Sequence, residues 1–281
     1  MTAPSDGAAE REAAATAAIF AAAGQRAAAS QPPRFLAGAA GAMAHHIGLP
    51  DNDQDRLIAE MAFWQLHLPG ALGAEPNLYY DPAAYFPESY KVVRDMYVEV
   101  RDKPLFVMAG FHMAGFPLLS AMIAQADAEL MDRRGYVLIA RRNAAWLGFP
   151  SGQWVREVAN VLTTTPADLR LLLAGLRSGE VGRLMILCDG PQPPTARGAR
   201  ALTTYPSLGF GDGLLRRLID MGAPVRPVSH VWRDNRFDVR WHPYLPTSAE
   251  AAVDGYVSLL EELLSNQPEQ WLNWPAVATR T

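Results

Sequence analysis

The uncharged run PLFVMAGFHMAGFPLLSAMIAQ, residues 104–125, limits what this chain can fold into more than any other stretch. Between Lys103 and Asp127 there is no formal charge, and His112 is the only titratable group. The length would suit a membrane span, which needs about 20 apolar residues. The interior argues against one, because Gly110, His112, Gly115 and Pro117 fall where a helix tolerates them least. The pattern instead predicts a buried strand over 105–109, a glycine-bounded turn, and a helix with Pro117 in its first turn. His112 then sits in the turn at the C-terminal end of a strand, where open α/β sheets place their sites. Spacing alone leaves a second reading open, a histidine packed under a loop.

Composition narrows the function classes. The chain has 281 residues, 49% hydrophobic, enough for one large domain with a helical appendage. A net charge of −4 disfavours binding nucleic acid through a basic face. The single cysteine, Cys188, excludes internal disulfides and cysteine-cluster zinc sites. Glu10, Arg11 and Glu12 interrupt the opening segment where a signal peptide needs an apolar core. No stable membrane insertion is expected, and the chain reads as soluble and cytoplasmic.

Taken in order, residues 1–33 are alanine-dominated with little bulk beyond Ile19 and Phe20, which predicts a peripheral helix or partial disorder. Residues 34–281 read as a single α/β domain that includes its own N-terminal helices. Two of these are expected over 35–47 and 53–68, the second with a core-facing stripe of Leu57, Ile58, Met61, Trp64 and Leu68. His45, His46 and His67 show no metal-ligand spacing and read as structural. The Tyr-, Pro- and Asp-rich stretch 75–87 reads as an irregular loop before a helix over 88–101.

A second strand is predicted over 136–140 and a third over 183–188, with a helix over 166–177 preceding the latter. The second ends in Arg141 and Arg142, whose guanidinium forks suit a phosphate or carboxylate and would equally suit solvated surface charge. The third ends in Asp189-Gly190. Short apolar strands separated by helices imply a largely parallel sheet whose ends point the same way. His112, the arginine pair and Asp189 would converge there. Residues 209–213, GFGDG, precede a helix without fitting a dinucleotide fingerprint, and Asp212 reads as its N-cap. A hairpin over 225–232 and 236–241 turns at Asp234-Asn235, with His230 and His242 structural, and a final helix covers 248–264. There is no G-x-S-x-G elbow, H-E-x-x-H or P-loop.

Together the histidine turn, the arginine pair, the CDGPQ turn, the GFGDGLLRRLIDMGAPVRPV segment and the closing PEQWL resemble the lysophospholipid acyltransferase superfamily, in its lipid A biosynthesis (lauroyl/myristoyl) branch. The resemblance covers roughly residues 92–271. It implies a glycerolipid acyltransferase-like fold and transfer of an acyl group from a thioester, carried by acyl carrier protein or CoA, with no bound cofactor and no metal. In that family a histidine and an acid five positions on form the catalytic pair. His112 matches the histidine, but the acid's position holds Pro117.

Three consequences of that departure stand open. A neutral amine attacks a thioester without prior deprotonation, so His112 alone would serve a small amine acceptor. Alternatively Asp189 reaches His112 from a neighbouring strand end and orients it. Or catalysis is lost and the fold serves as an accessory subunit to a partner protein. The resemblance assigns His112 as base; beside it the strand-end reading offers Asp189 as a possible orienting acid, and Arg141, Arg142 and Gly115 as candidates for substrate binding.

Overall fold

The computed structural model describes residues 6–48, 54–75, 77–132, 135–139, 150–234 and 236–279. Its frame is a six-stranded sheet built from β1 (Phe106–Gly110), β2 (Tyr136–Ile139), β3 (Asn160–Thr163), β4 (Arg183–Leu187), β8 (Val225–Arg233) and β9 (Arg236–Trp241). The strand order is β3-β2-β4-β1-β8-β9. Every neighbouring pair is parallel except the β8–β9 hairpin. The three strands expected to bear the site ends are thus adjacent, in the order β2-β4-β1. Three shorter strands, β5 (Pro191–Gln192), β6 (Ala199–Ala201) and β7 (Gly209–Gly211), form a separate antiparallel sheet.

Alternation along each strand explains why the sheet is covered on both faces. Val107, Ala109, Leu184, Ile186 and Leu138 join one core. Phe106, Met108, Met185, Val137 and Ile139 join the other. The first core is closed by helices Phe35–Ile47, Pro166–Ser178 and Ala249–Asn266, the second by Pro87–Val100 and Phe116–Leu130. Strands buried on both faces read as continuous apolar runs, as β1 and β4 do.

Several expectations are corrected, and one left open is decided: residues 6–28 form one helix, Asp6–Ala28. One side of it, Ala8, Glu12, Thr16, Ile19 and Ala23, is buried, so small side chains suffice where the helix approaches closely. The stretch read as an irregular loop holds two helical turns, Asn77–Tyr80 and Pro82–Tyr85. Asp81 caps the second through the Ala84 N–H at 3.2 Å, with Pro82 in its first turn. The single helix expected over 53–68 is Gln54–Ala62 followed by a π-helical turn, Phe63–His67, and a further helix, Leu68–Gly73. The GFG segment is a strand, β7, in which a Cβ on Gly209 would stand 2.9 Å from the Gln192 carbonyl oxygen. Close strand approach accounts for that glycine. Asp212 occupies the N-cap position of Gly213–Asp220 but makes no side-chain cap; its carboxylate accepts from Arg216 Nε at 2.5 Å.

Candidate active site

Register brings the site together. In the parallel β1–β4 pair, Gly110 stands opposite Leu187. His112 and Asp189 each lie two residues beyond that pair, so both chains leave the sheet side by side and carry their polar groups to one place.

There His112 Nδ1 lies 2.6 Å from Asp189 Oδ1. The His112 backbone N–H donates to Asp189 Oδ2 at 2.8 Å, and the indole Nε1–H of Trp271 donates to the same oxygen at 2.8 Å. Asp189 is fully buried, and only 11% of the His112 side chain is exposed. Burial alone would raise the Asp189 carboxyl. The His112 ring and the N–H bonds from His112 and Trp271 outweigh burial and hold it below the usual carboxylate range. An ionised acid on one oxygen of the ring pair commits a proton to Nδ1, which leaves Nε2 as the ring's basic nitrogen. The neighbouring Cys188 is also buried, and burial together with the Asp189 charge pushes its thiol far up, so it stays a protonated packing residue.

The turn carrying His112 is held from three directions. Gly115 takes φ 91° ahead of the Phe116–Leu130 helix, and Pro117 occupies the first turn as expected. Gly115 packs under the aromatic rings of Trp232 and Phe237 and is not among the residues that wall the neighbouring cavity. On β8, His230 Nε2 donates to the Met113 carbonyl at 3.2 Å. A C-terminal strap, residues 270–273, supplies the rest. The Ala114 N–H donates to the Gln270 carbonyl at 2.7 Å and the Leu272 N–H to the His112 carbonyl at 2.7 Å. Asn273 Nδ2 donates to the Asp189 carbonyl at 3.0 Å.

Beside the pair opens a cavity of about 410 Å³. His112, Phe116 and Pro117 wall it after β1, Ile139 at the end of β2, Leu187 at the end of β4, and Leu272 on the strap. Its walls are mainly apolar, its size falls in the range of small-molecule sites, and its place at the carboxyl ends of parallel strands is where such sheets bind ligands. The π-helical turn contributes Gln65, whose Nε2 donates to the Trp271 carbonyl at 3.4 Å. Irregular turns of that kind recur at functional sites.

Of the residues singled out in the sequence, His112 and Asp189 meet, and Gly115 shapes the turn. Arg141 and Arg142 lie outside the described residues. Trp271, Asn273 and His230 were not assigned to the site by sequence reasoning. Trp271 belonged to the PEQWL segment without a role, and His230 read as structural. Two other histidines bond to serines, His46 Nδ1 with Ser207 Oγ at 2.6 Å and His242 Nε2 with Ser229 Oγ at 2.8 Å. Among the described residues, no three of His, Cys, Asp and Glu are grouped so as to hold a metal ion, and no helix is long and apolar enough to cross a membrane.

His230 has a consequence for acid stability. It is fully buried, faces Asp189 and His112, and burial lowers its pKa from 6.5 to about 4. The unfolded chain therefore takes up this proton first as pH falls. Stability contributed by the neutral ring is present above pH 6.5 and is lost progressively down to about pH 4. The loss from this group is expected to be about 3 kcal/mol. His230→Gln keeps an N–H for the Met113 carbonyl and should flatten that part of the curve. Urea denaturation at pH 7 and pH 4.5 checks it; equal pH dependence in both proteins would exclude His230 as the source.

No protein-family model matches this chain, and no curated protein sequence matches it.

Proposed function

We propose that this protein is an acyltransferase that moves an acyl group from a thioester donor, acyl carrier protein or CoA, to a small acceptor, with His112 as general base and Asp189 orienting it. The bond of 2.6 Å between His112 Nδ1 and Asp189 Oδ1, beside an apolar cavity, carries this reading. His112 Nε2 takes the proton of an acceptor hydroxyl or amine as the acceptor atom attacks the thioester carbonyl carbon. The C–S bond then breaks, and the departing sulfur takes the proton back from the imidazolium. Asp189 stabilises the imidazolium formed between those events. It supplies from β4 the carboxylate missing at Pro117, which supports a glycerolipid acyltransferase-like assignment despite the departed motif. It also removes the reason to expect amine acceptors alone, so matched alcohol and amine acceptors are both expected to react. Arg141 and Arg142 are proposed anchors for donor or acceptor oxyanions. A single buried thiol and the lack of spanning helices among the described residues support a soluble, cytoplasmic setting.

The apolar walls are proposed to receive the acyl chain. Each added methylene is then worth about 0.8 kcal/mol, or about a fourfold fall in donor KM, until the cavity is filled. A series of saturated acyl thioesters of increasing length checks this, and a KM indifferent to length would place the acyl group elsewhere. Mass spectrometry of products from thioesters with amine and alcohol acceptors tests the reaction itself. No product from any thioester, with undiminished function of His112→Ala in its native pathway, would leave the accessory-subunit reading instead.

A further inference from the structure

We propose that Trp271 is a positioning residue for the His112–Asp189 pair, its indole N–H fixing which Asp189 oxygen faces the imidazole and so which ring nitrogen carries the proton. This rests on the reading of His112 as base, but its geometric content stands without any turnover.

The Asp189 carboxylate has two oxygens and three nitrogen partners. Oδ1 meets His112 Nδ1, and Oδ2 receives two donors, the His112 backbone N–H and Trp271 Nε1–H. Two of these three come from His112 itself. Trp271 is thus the one carboxylate donor, among the hydrogen bonds described, that is independent of the turn it helps to hold. A carboxylate gripped at a single oxygen by a fixed donor cannot rotate about Cβ–Cγ without abandoning a charge-assisted bond in a buried site.

Trp271 is itself immobilised. It is 2% exposed and packs edge-on against Trp274, with ring centroids 5.0 Å apart. Its backbone forms a bridge with Met113, one residue from His112. The preceding residue locks the strap to the sheet, since Gln270 Nε2 donates to the Trp232 carbonyl at 2.8 Å and Gln270 Oε1 accepts the Trp232 N–H at 2.9 Å. The strap therefore grips both members of the pair through one short segment, His112 by its backbone and Asp189 by the indole.

Packing and hydrogen bonding can be separated by replacing Trp271 with 3-benzothienylalanine, which keeps the indole's shape and exchanges N–H for sulfur. Trp271→Phe is the genetically simpler variant. Trp274→Phe is the packing control, because Trp274 is equally buried and donates its Nε1–H to the Pro268 carbonyl, not to Asp189. Ring ¹⁵N shifts of His112 at neutral pH report the tautomer directly. In the unmodified protein the Nδ1–H form is expected to dominate, with a slowly exchanging downfield proton. Loss of the Trp271 N–H should mix the tautomers and broaden that proton, whereas Trp274→Phe should not. Where acyl transfer is measurable, the Trp271 variants should lose about tenfold or more in kcat with KM changed less than threefold. An unchanged ¹⁵N pattern in the benzothienyl protein, or an equal change in Trp274→Phe, would overturn the positioning role. A lack of turnover in the unmodified protein with the expected ¹⁵N result would instead count against the proposed reaction alone.

Discussion

Asp189→Asn is expected to abolish most acyl transfer, by about 10³–10⁴-fold in kcat, as much as or more than the 10²–10⁴-fold expected of His112→Ala. The reason is the direction of the donors around it. Oδ2 receives N–H groups from the His112 backbone and Trp271, so a carboxamide must turn its carbonyl oxygen toward them. Its NH₂ then faces His112 Nδ1 at the position held by Oδ1, where the two atoms are 2.6 Å apart. Nδ1 must become an acceptor, and the proton moves to Nε2, the nitrogen that the reaction needs unprotonated. Asparagine thus selects the wrong tautomer, while alanine at 189 would merely release the ring and is expected to be the milder change per turnover if it folds. Initial rates with one acyl thioester and one alcohol acceptor, alongside thermal melts to confirm folding, check the order. Asp189→Asn at near full rate would remove Asp189 from the mechanism.

Much of this site was legible in the sequence because its members stand where apolar runs stop. His112 follows FVMAGF and Asp189 follows RLMILC, and the alternation of helices and strands implies parallel strands with ends on one side. What the sequence does not carry is the register that sets Gly110 opposite Leu187, since an apolar strand buried on both faces offers no alternation to fix it. Without that register, Asp189 remained one of three ways to account for Pro117. The strap was illegible for a different reason. Trp271 is more than 80 residues from Asp189 in the chain and has no periodic pattern; only the hydrogen bond of its indole identifies it. The edge strand β3 carries no sequence signal, because Asn160–Thr163 is four residues long and only partly buried, too short for alternation to register. The helical turn after Asp81 did have a signal, an N-capping residue followed by proline. It lost to the loop reading because Tyr, Pro and Asp crowd the same stretch.

Gly115→Ala carries the largest expected change in stability. Gly115 has φ 91°, in the left-handed region, which costs an L-residue roughly 1–2 kcal/mol. An added Cβ would also stand 2.7 Å from Phe237 Cε2 and 2.7 Å from Trp232 Nε1. Both rings are buried and packed on each other, with centroids 4.8 Å apart, so neither can withdraw into solvent. Overpacking of that kind costs about 1–3 kcal/mol, which brings the total to about 2–5 kcal/mol. Against a typical domain stability of about 5–15 kcal/mol, that is a large fraction. Gly213→Ala is the control, because its Cβ would meet nothing within 4 Å and Gly213 lies in a helix. It should be neutral or slightly stabilising. Urea denaturation of both variants measures the difference. The strain has somewhere to go, since Trp232 is also the residue to which Gln270 ties the strap. Pushing its indole away from residue 115 should loosen the strap and the turn together, so any folded Gly115→Ala protein is expected to lose turnover beyond its loss of stability. A cost below about 0.5 kcal/mol, within the ordinary range of surface substitutions, would mean that the rings yield and that Gly115 does not hold the His112 turn.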